Sequence, residues 1–147
     1  MIRCETTLRV RYADTDQMRH AYYGVYFEYF EQGRSDMMRS IGLPYPQLEE
    51  MGFQLPVIEA HAVYKRPARY DDQLTVVTML REKPIARVRL DYTVYNERQM
   101  EVIAEGCTIH SFLNATTGKP TRAPAPFLEH VEKALAAQTT RSNHAQT

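Results

Sequence analysis

RYADTDQMRHAYYGVYFEYFEQGR, residues 11–34, contains the change of period on which the fold depends. It opens as the end of an alternating segment. Over residues 4–12, Thr6, Leu8, Val10 and Tyr12 fall on one side and Arg9 and Arg11 on the other, which predicts a half-buried strand. It closes with helical spacing: between residues 22 and 41, Tyr26, Phe30, Gly33, Met37 and Ile41 recur at intervals of four, three, four and four and form one apolar stripe. Gly42 stands where a left-handed C-terminal residue is wanted, and Pro44 follows. Such a helix is about 27–30 Å long, nearly the width of a small domain, and should be its central element. Gly33 inside the stripe costs ~1 kcal/mol relative to Ala, which predicts a close approach there by a sheet wrapped around the helix.

The remainder of the chain supplies that sheet. PYPQLEEMG, residues 44–52, reads as a short helix, and VIEAHAVYKR, residues 57–66, as a strand. ARVRLDYTVY, residues 86–95, puts Val88, Leu90, Tyr92 and Val94 on one face and Arg87, Arg89, Asp91 and Thr93 on the other, so one face should be wet. QLTVVTML before it and EVIAEGCTIHSFL after it are joined to it by turn-like segments at Lys83-Pro84 and Asn96-Glu97-Arg98, which predicts an antiparallel meander. TGKP, residues 117–120, marks a turn, and PAPFLEHVEKALAA begins an amphipathic C-terminal helix. The expected architecture is α+β, a single domain over residues 1–137, with residues 138–147 as a disordered tail.

Bulk properties narrow the function classes. The 147 residues suit one compact domain, and 18 basic against 18 acidic residues leave no overall field to draw nucleic acid or an anionic membrane. No apolar run approaches the ~20 residues of a membrane span, and MIRCETTLRV lacks the apolar core of a signal peptide, so a cytoplasmic protein is expected. Cys4 and Cys107 are far apart and form no C-x-x-C, which favours two reduced, buried thiols over a metal or redox site.

The candidate chemistry lies where strand gives way to helix. Asp14 and Asp16 stand one residue apart, and D-x-x-Q has the form of a capping box, so the plain reading is that these carboxylates cap and turn the chain. The same geometry admits catalysis. The first turn of a long helix offers unpaired N–H donors and a positive dipole end, which can polarise a carbonyl oxygen. A carboxylate on the entering loop can then attack the carbonyl carbon or activate a water that does. Other constellations are weaker: no G-x-S-x-G surrounds a serine, no Gly-rich phosphate loop is present, and His20, His61 and His110 lack metal-ligand spacing. His110 reads as a satisfied strand histidine. KRPARYDD, residues 65–72, is either a strand end carrying its own counter-ions or, through Lys65, Arg66 and Arg69, an anchor for phosphates; Lys83 and Arg87 are similar candidates.

DTDQM followed by YYGVYFEYFEQGR resembles the signature of the hotdog-fold acyl-CoA thioesterases of the 4-hydroxybenzoyl-CoA thioesterase-like family. The similarity continues through YKRPARYDDQL, REKPIARVRLDYTVYNE, AEG and TGKPTRAP, and so covers nearly all of residues 3–130. It implies a hotdog fold, a long central helix wrapped by a five-stranded antiparallel sheet, and hydrolysis of an acyl-CoA thioester to free acid and CoA. It also implies Asp16 as the catalytic carboxylate, Asp14 as its structural neighbour, and Tyr23 as the residue whose backbone N–H binds the thioester oxygen. Lys65, Arg66, Arg69 and Lys83 are similar in placement to the basic residues that hold the nucleotide of CoA. Subunits of the family pair side by side into homodimers and often tetramers, with acyl sites at the dimer interface.

Two positions depart from the family pattern: Arg19 stands where Gly is common, and Val25 where Asn is common. Arg19 could pair with Asp16 and blunt it, or recognise a negatively charged acyl group; Val25 removes a hydrogen-bonding side chain from the start of the helix. These departures leave open a weakly active or non-catalytic binder of acyl-CoA or acyl-carrier protein. A hotdog dehydratase is a further alternative, for which His20 and Glu31 are available. No metal or redox cofactor is expected, because a thioester is already activated. A carboxylate with the ordinary aspartate pKa of ~3.9 is a weak base at neutral pH, which favours the nucleophilic route over the general-base route.

Overall fold

In the computed structural model the backbone is described over residues 1–145 and side chains over residues 1–138. The elements in order are β1 (Ile2–Arg9), α1 (Val25–Ser40), α2 (Tyr45–Glu50), β2 (Phe53–Gln54), β3 (Val57–Tyr64), β4 (Gln73–Leu80), β5 (Arg87–Asn96), β6 (Glu101–Asn114), β7 (Pro120–Thr121) and α3 (Ala125–Ala145). The five long strands form the order β1-β4-β5-β6-β3, every pairing antiparallel, and β4, β5 and β6 make the expected meander. Two-residue β2 and β7 add to the far end of β6, which at 14 residues outruns its long neighbours.

The sheet curls around α1. Val88, Leu90, Tyr92 and Val94 are buried while Arg87 and Arg89 are exposed, so the alternation in β5 is the alternation of core and solvent. Phe30 stacks on Tyr92 with ring centroids 4.3 Å apart and planes 9° apart, joining helix to sheet. At Gly33 the approach is closest: a Cβ there would lie 2.4 Å from Thr78 Oγ1 and 3.1 Å from Val76 Cγ1. The stripe through Tyr26, Phe30 and Met37 is buried, and Gly42 takes a φ of 82° beyond the helix end.

Four expectations need correction. α1 begins at Val25, not at residue 22, because residues 22–24 form a turn in which the Val25 N–H donates to the Tyr22 carbonyl at 3.0 Å. Its 16 residues span about 24 Å. Tyr12 is 79% exposed, since β1 stops at Arg9 and the chain enters a 3-10 turn over Tyr12–Asp14 that ends the alternation. Cys107 is buried but Cys4 only half-buried, and both are free thiols. Finally, α3 runs on through Ala145 into the stretch expected to be tail; residues 138–145 contain neither Gly nor Pro to stop it. Residues 146 and 147 of that expected tail lie outside the described residues.

Candidate active site

The loop between β1 and α1 is a small antiparallel ribbon. Thr15 bridges Ala21, the Asp16 N–H donates to the His20 carbonyl at 3.0 Å, and the Tyr22 N–H donates to the Asp14 carbonyl at 2.9 Å. It leans on the segment before β4, where the Ala68 carbonyl accepts the Ala21 N–H at 2.7 Å. Thus DTD and the YKRPARYDD run, far apart in sequence, meet in space. Asp72 fixes that second run by accepting from the Arg69 N–H at 2.8 Å and the Asn96 side chain at 3.0 Å.

The two carboxylates of DTD have separate environments. Asp14 is 3% exposed. Its Oδ2 accepts the Arg11 N–H at 2.9 Å and the Tyr29 hydroxyl at 3.0 Å, and its Oδ1 accepts Nε and Nη2 of Arg11 at 3.1 and 2.9 Å. Burial alone would raise its pKa, but these donors together outweigh burial and hold it below the usual carboxylate value. Asp16 is half-buried, and its Oδ1 accepts the Met18 N–H at 2.8 Å, an Asx turn that orients the side chain. Oδ2 of Asp16 has no intramolecular partner among the described residues. Neither carboxylate caps α1: the N-cap is Gly24, several residues beyond both, and among the described residues no side chain bonds it.

Donors at the head of α1 are therefore limited. Tyr26 and Phe27 N–H already reach the carbonyls of Tyr23 and Gly24 at 3.4 and 3.3 Å, as Val25 reaches Tyr22. Among the described residues, the N–H groups of Tyr23 and Gly24 have no intramolecular acceptor. Beside them lies a cleft of about 200 Å³ lined by His20, Ala21, Tyr23, Tyr26, Tyr64, Lys65, Arg66 and Pro67. Burial pushes the Tyr26 hydroxyl up to about 12, so it stays protonated on the cleft wall.

A free carboxylate oxygen, two unclaimed amides and an aromatic cleft at one helix end suit attack on a carbonyl. Residues 10–135 match the family described as the thioesterase-like superfamily. The chain belongs to that superfamily. Among curated relatives it is 32% identical over 120 residues to the Bacillus subtilis protein named "Putative acyl-CoA thioesterase YneP", covering 82% of this chain and 86% of the relative. Among solved structures it is similar to a DHNA-CoA thioesterase from Staphylococcus aureus, with 28% identity, a TM-score of 0.84, and coverage of 99% of this chain and 96% of that one. A 4-hydroxybenzoyl-CoA thioesterase mutant holding 4-hydroxybenzoyl-CoA is 19% identical with a TM-score of 0.80 over 88% of this chain and 99% of that one, and shares the fold. The fold is the hotdog.

Against this thioesterase frame, the positions singled out in the sequence separate. Asp16, Arg19 and Tyr23 share the ribbon and its exit. Arg19 occupies the common Gly position with a φ of 65°, the left-handed conformation glycine takes without penalty, and it forms no ion pair with Asp16 among the described residues. Val25 is buried in the core as the first residue of α1. Lys65 and Arg66 border the cleft, yet each already pairs across to β6, with Glu105 at 3.2 Å and Glu101 at 3.1 Å. Arg69 has no ion pair among the described residues. Lys83 sits at the opposite end of the sheet in the β4–β5 hairpin, paired with Glu132 and apart from Lys65, Arg66 and Arg69. Glu31 is exposed on α1 with Arg34 at 4.0 Å, while His20 lines the cleft, so the dehydratase pair is not assembled.

Sequence reasoning missed Tyr29, Arg11 and Tyr64. Tyr29 and Arg11 hold Asp14 from elements fifteen and three residues away. Tyr64 donates its hydroxyl to the Tyr23 carbonyl at 2.7 Å across 41 residues. The tyrosine at the head of YKRP was the available signal, overshadowed by the cations that follow it.

Proposed function

We propose that this thioesterase-superfamily protein hydrolyses an acyl-CoA thioester to the free acid and CoA at the ribbon–helix junction. What supports the reading is that one short ribbon and the turn leaving it carry, among the described residues, both a carboxylate oxygen without a partner on Asp16 and the unclaimed amides of Tyr23 and Gly24. By ladder register Asp16 lies opposite His20, and the turn that carries Tyr23 and Gly24 follows directly after the ribbon.

In the nucleophilic route, Asp16 Oδ2 bonds to the thioester carbon and the carbonyl oxygen becomes an oxyanion held by the Tyr23 N–H. Collapse breaks the C–S bond, and CoA leaves as a thiolate that takes a proton from solvent. Water then attacks the mixed anhydride, releasing the acid and restoring the carboxylate. A carboxylate and amide donors suffice for an activated ester, so the scheme asks for no metal or redox cofactor. Arg69, Lys65 and Arg66 are assigned to the nucleotide end of CoA, with Lys65 and Arg66 exchanging their exposed carboxylate partners for phosphate.

We further assign a homodimer joined along β3, which can pair again into a tetramer. Among the described residues β3 has a ladder partner on one side only, and it exposes Val57, Ile58 and Val63, an edge that a second copy would cover. No helix among the described residues is long and apolar enough to cross a membrane. A cytoplasmic setting is in keeping with two cysteines that are free thiols.

The test is thiol release from a panel of short, long, aromatic and dicarboxylic acyl-CoAs. Turnover of at least one class above the uncatalysed rate is expected. Tight binding of every substrate without thiol release would replace the hydrolase by an acyl-CoA binder.

A further inference from the structure

The peptide group joining Tyr23 to Gly24 lies at the point where substrate oxygen would bind, and little in its own segment holds it. Gly24 is the N-cap without a side-chain cap, and a glycine there leaves the backbone free to swivel. The Tyr23 carbonyl accepts only a long 3.4 Å bond from Tyr26 N–H within the turn. What grips it firmly comes from the sheet: the Tyr64 hydroxyl donates to that carbonyl at 2.7 Å.

Tyr64 is well placed for this. It is the last residue of β3, in register with Ala104 of β6, and the next two N–H groups, of Lys65 and Arg66, both donate to the Ile103 carbonyl at 2.9 and 3.1 Å. Its ring rests on Tyr23 with centroids 4.8 Å apart and on Tyr26 at 5.1 Å. The hydroxyl is thus delivered by a strand end pinned on both counts, backbone and ring.

We propose that Tyr64 is a positioning residue for the reaction: its hydroxyl fixes the Tyr23–Gly24 peptide so that the Gly24 N–H joins the Tyr23 N–H in facing the thioester oxygen. This rests on the hydrolytic reading of the site. A donor at the carbonyl end of a peptide also polarises the N–H at its other end, so the same contact strengthens the Gly24 N–H as a donor. The amides then form a two-donor oxyanion site rather than one amide at a helix tip. Because Tyr64 stands at the end of the β3 edge, the site is tied to the strand along which a second copy would join.

The experiment compares wild type with Tyr64→Phe, which keeps both ring contacts and removes one hydrogen bond. kcat for acyl-CoA hydrolysis should fall about 10-fold with KM within about twofold and the thermal midpoint unchanged, since removing a preorganised oxyanion donor costs about 100-fold or more and loosening one costs less than removing it. A second readout needs no turnover: the ¹³C carbonyl resonance of a bound 2-oxoalkyl-CoA, in which a methylene separates carbonyl from sulfur. It should lie downfield of the free ligand in wild type and move back toward the free value in Tyr64→Phe. An unchanged kcat, an unchanged carbonyl resonance, or a loss of activity that merely follows a lowered thermal midpoint overturns the proposal. Should wild type release no thiol from any acyl-CoA, the hydrolytic reading fails, while the carbonyl resonance still decides whether Tyr64 sets the amides.

Discussion

The Tyr29 hydroxyl donates to Oδ2 of Asp14 at 3.0 Å, so a residue in the second turn of α1 holds the carboxylate that ties the loop of Asp16 together. The same oxygen accepts the Arg11 N–H at 2.9 Å. One buried side chain thereby fixes strand end, loop and helix, and the catalytic candidate two residues on inherits its position.

Asp14→Asn keeps the volume but turns one acceptor oxygen into a donor facing Arg11 and Tyr29. We expect a loss of about 1–3 kcal/mol in unfolding free energy, measured by denaturant titration. The Asp14 pKa is lower in the folded protein than its ordinary value of 3.8, so its stabilisation is fully present above that value and is lost as pH falls through the folded pKa. The variant should therefore lose the part of acid unfolding that wild type shows below about pH 4; an identical acid limb in both would count against the assignment.

His110 is fully buried, bonded to Thr108 Oγ1 at 2.8 Å and to the Leu55 carbonyl at 3.2 Å, and burial pushes its pKa down from 6.5 to about 4. The unfolded chain binds the proton first, so stability is complete above about pH 6.5 and declines as pH drops toward 4, by on the order of 3 kcal/mol. His110→Gln should flatten unfolding free energy across that window. A slope of wild-type size in the variant would place the titration elsewhere.

Gly33→Ala forces a methyl to within 2.4 Å of Thr78 Oγ1, a buried hydroxyl without a hydrogen-bond partner among the described residues. The expected cost is ~1–3 kcal/mol. Thr78→Ala removes both the clash and the unpaired hydroxyl, so in a double-mutant cycle it should recover about half or more of the loss. Strict additivity would show that helix and sheet do not meet there.

Arg19 holds a φ of 65° where a side chain costs about 1 kcal/mol or more over glycine. Arg19→Gly should raise the thermal midpoint by a few degrees. If Arg19 recognises a charged acyl group, the same variant raises KM for dicarboxylic acyl-CoAs alone; equal KM changes across the panel would remove that role.

Periodicity carried most of the fold. The stripe from Tyr26 to Met37 and the alternation in β5 are local patterns whose meaning needs no partner, and both read correctly. Gly33 predicted a close neighbour because a helix tolerates glycine poorly without one. What escaped were relationships fixed by tertiary pairing: Lys65 and Arg66, just past the end of β3, reach Glu105 and Glu101 on β6, and no spacing along the chain reveals them. The same holds for Tyr64 reaching Tyr23 and for Tyr29 reaching Asp14. Tyr12 was misplaced because a single 3-10 turn breaks an alternation that the letters alone continue.

The role proposed for the free oxygen of Asp16 is tested by single-turnover thiol release by wild type and Asp16→Asn, with enzyme in excess over the best acyl-CoA. The rate in the variant should be at least about 100-fold lower, with substrate binding and thermal midpoint retained. An Asp16→Asn protein that releases CoA at the wild-type rate would contradict it.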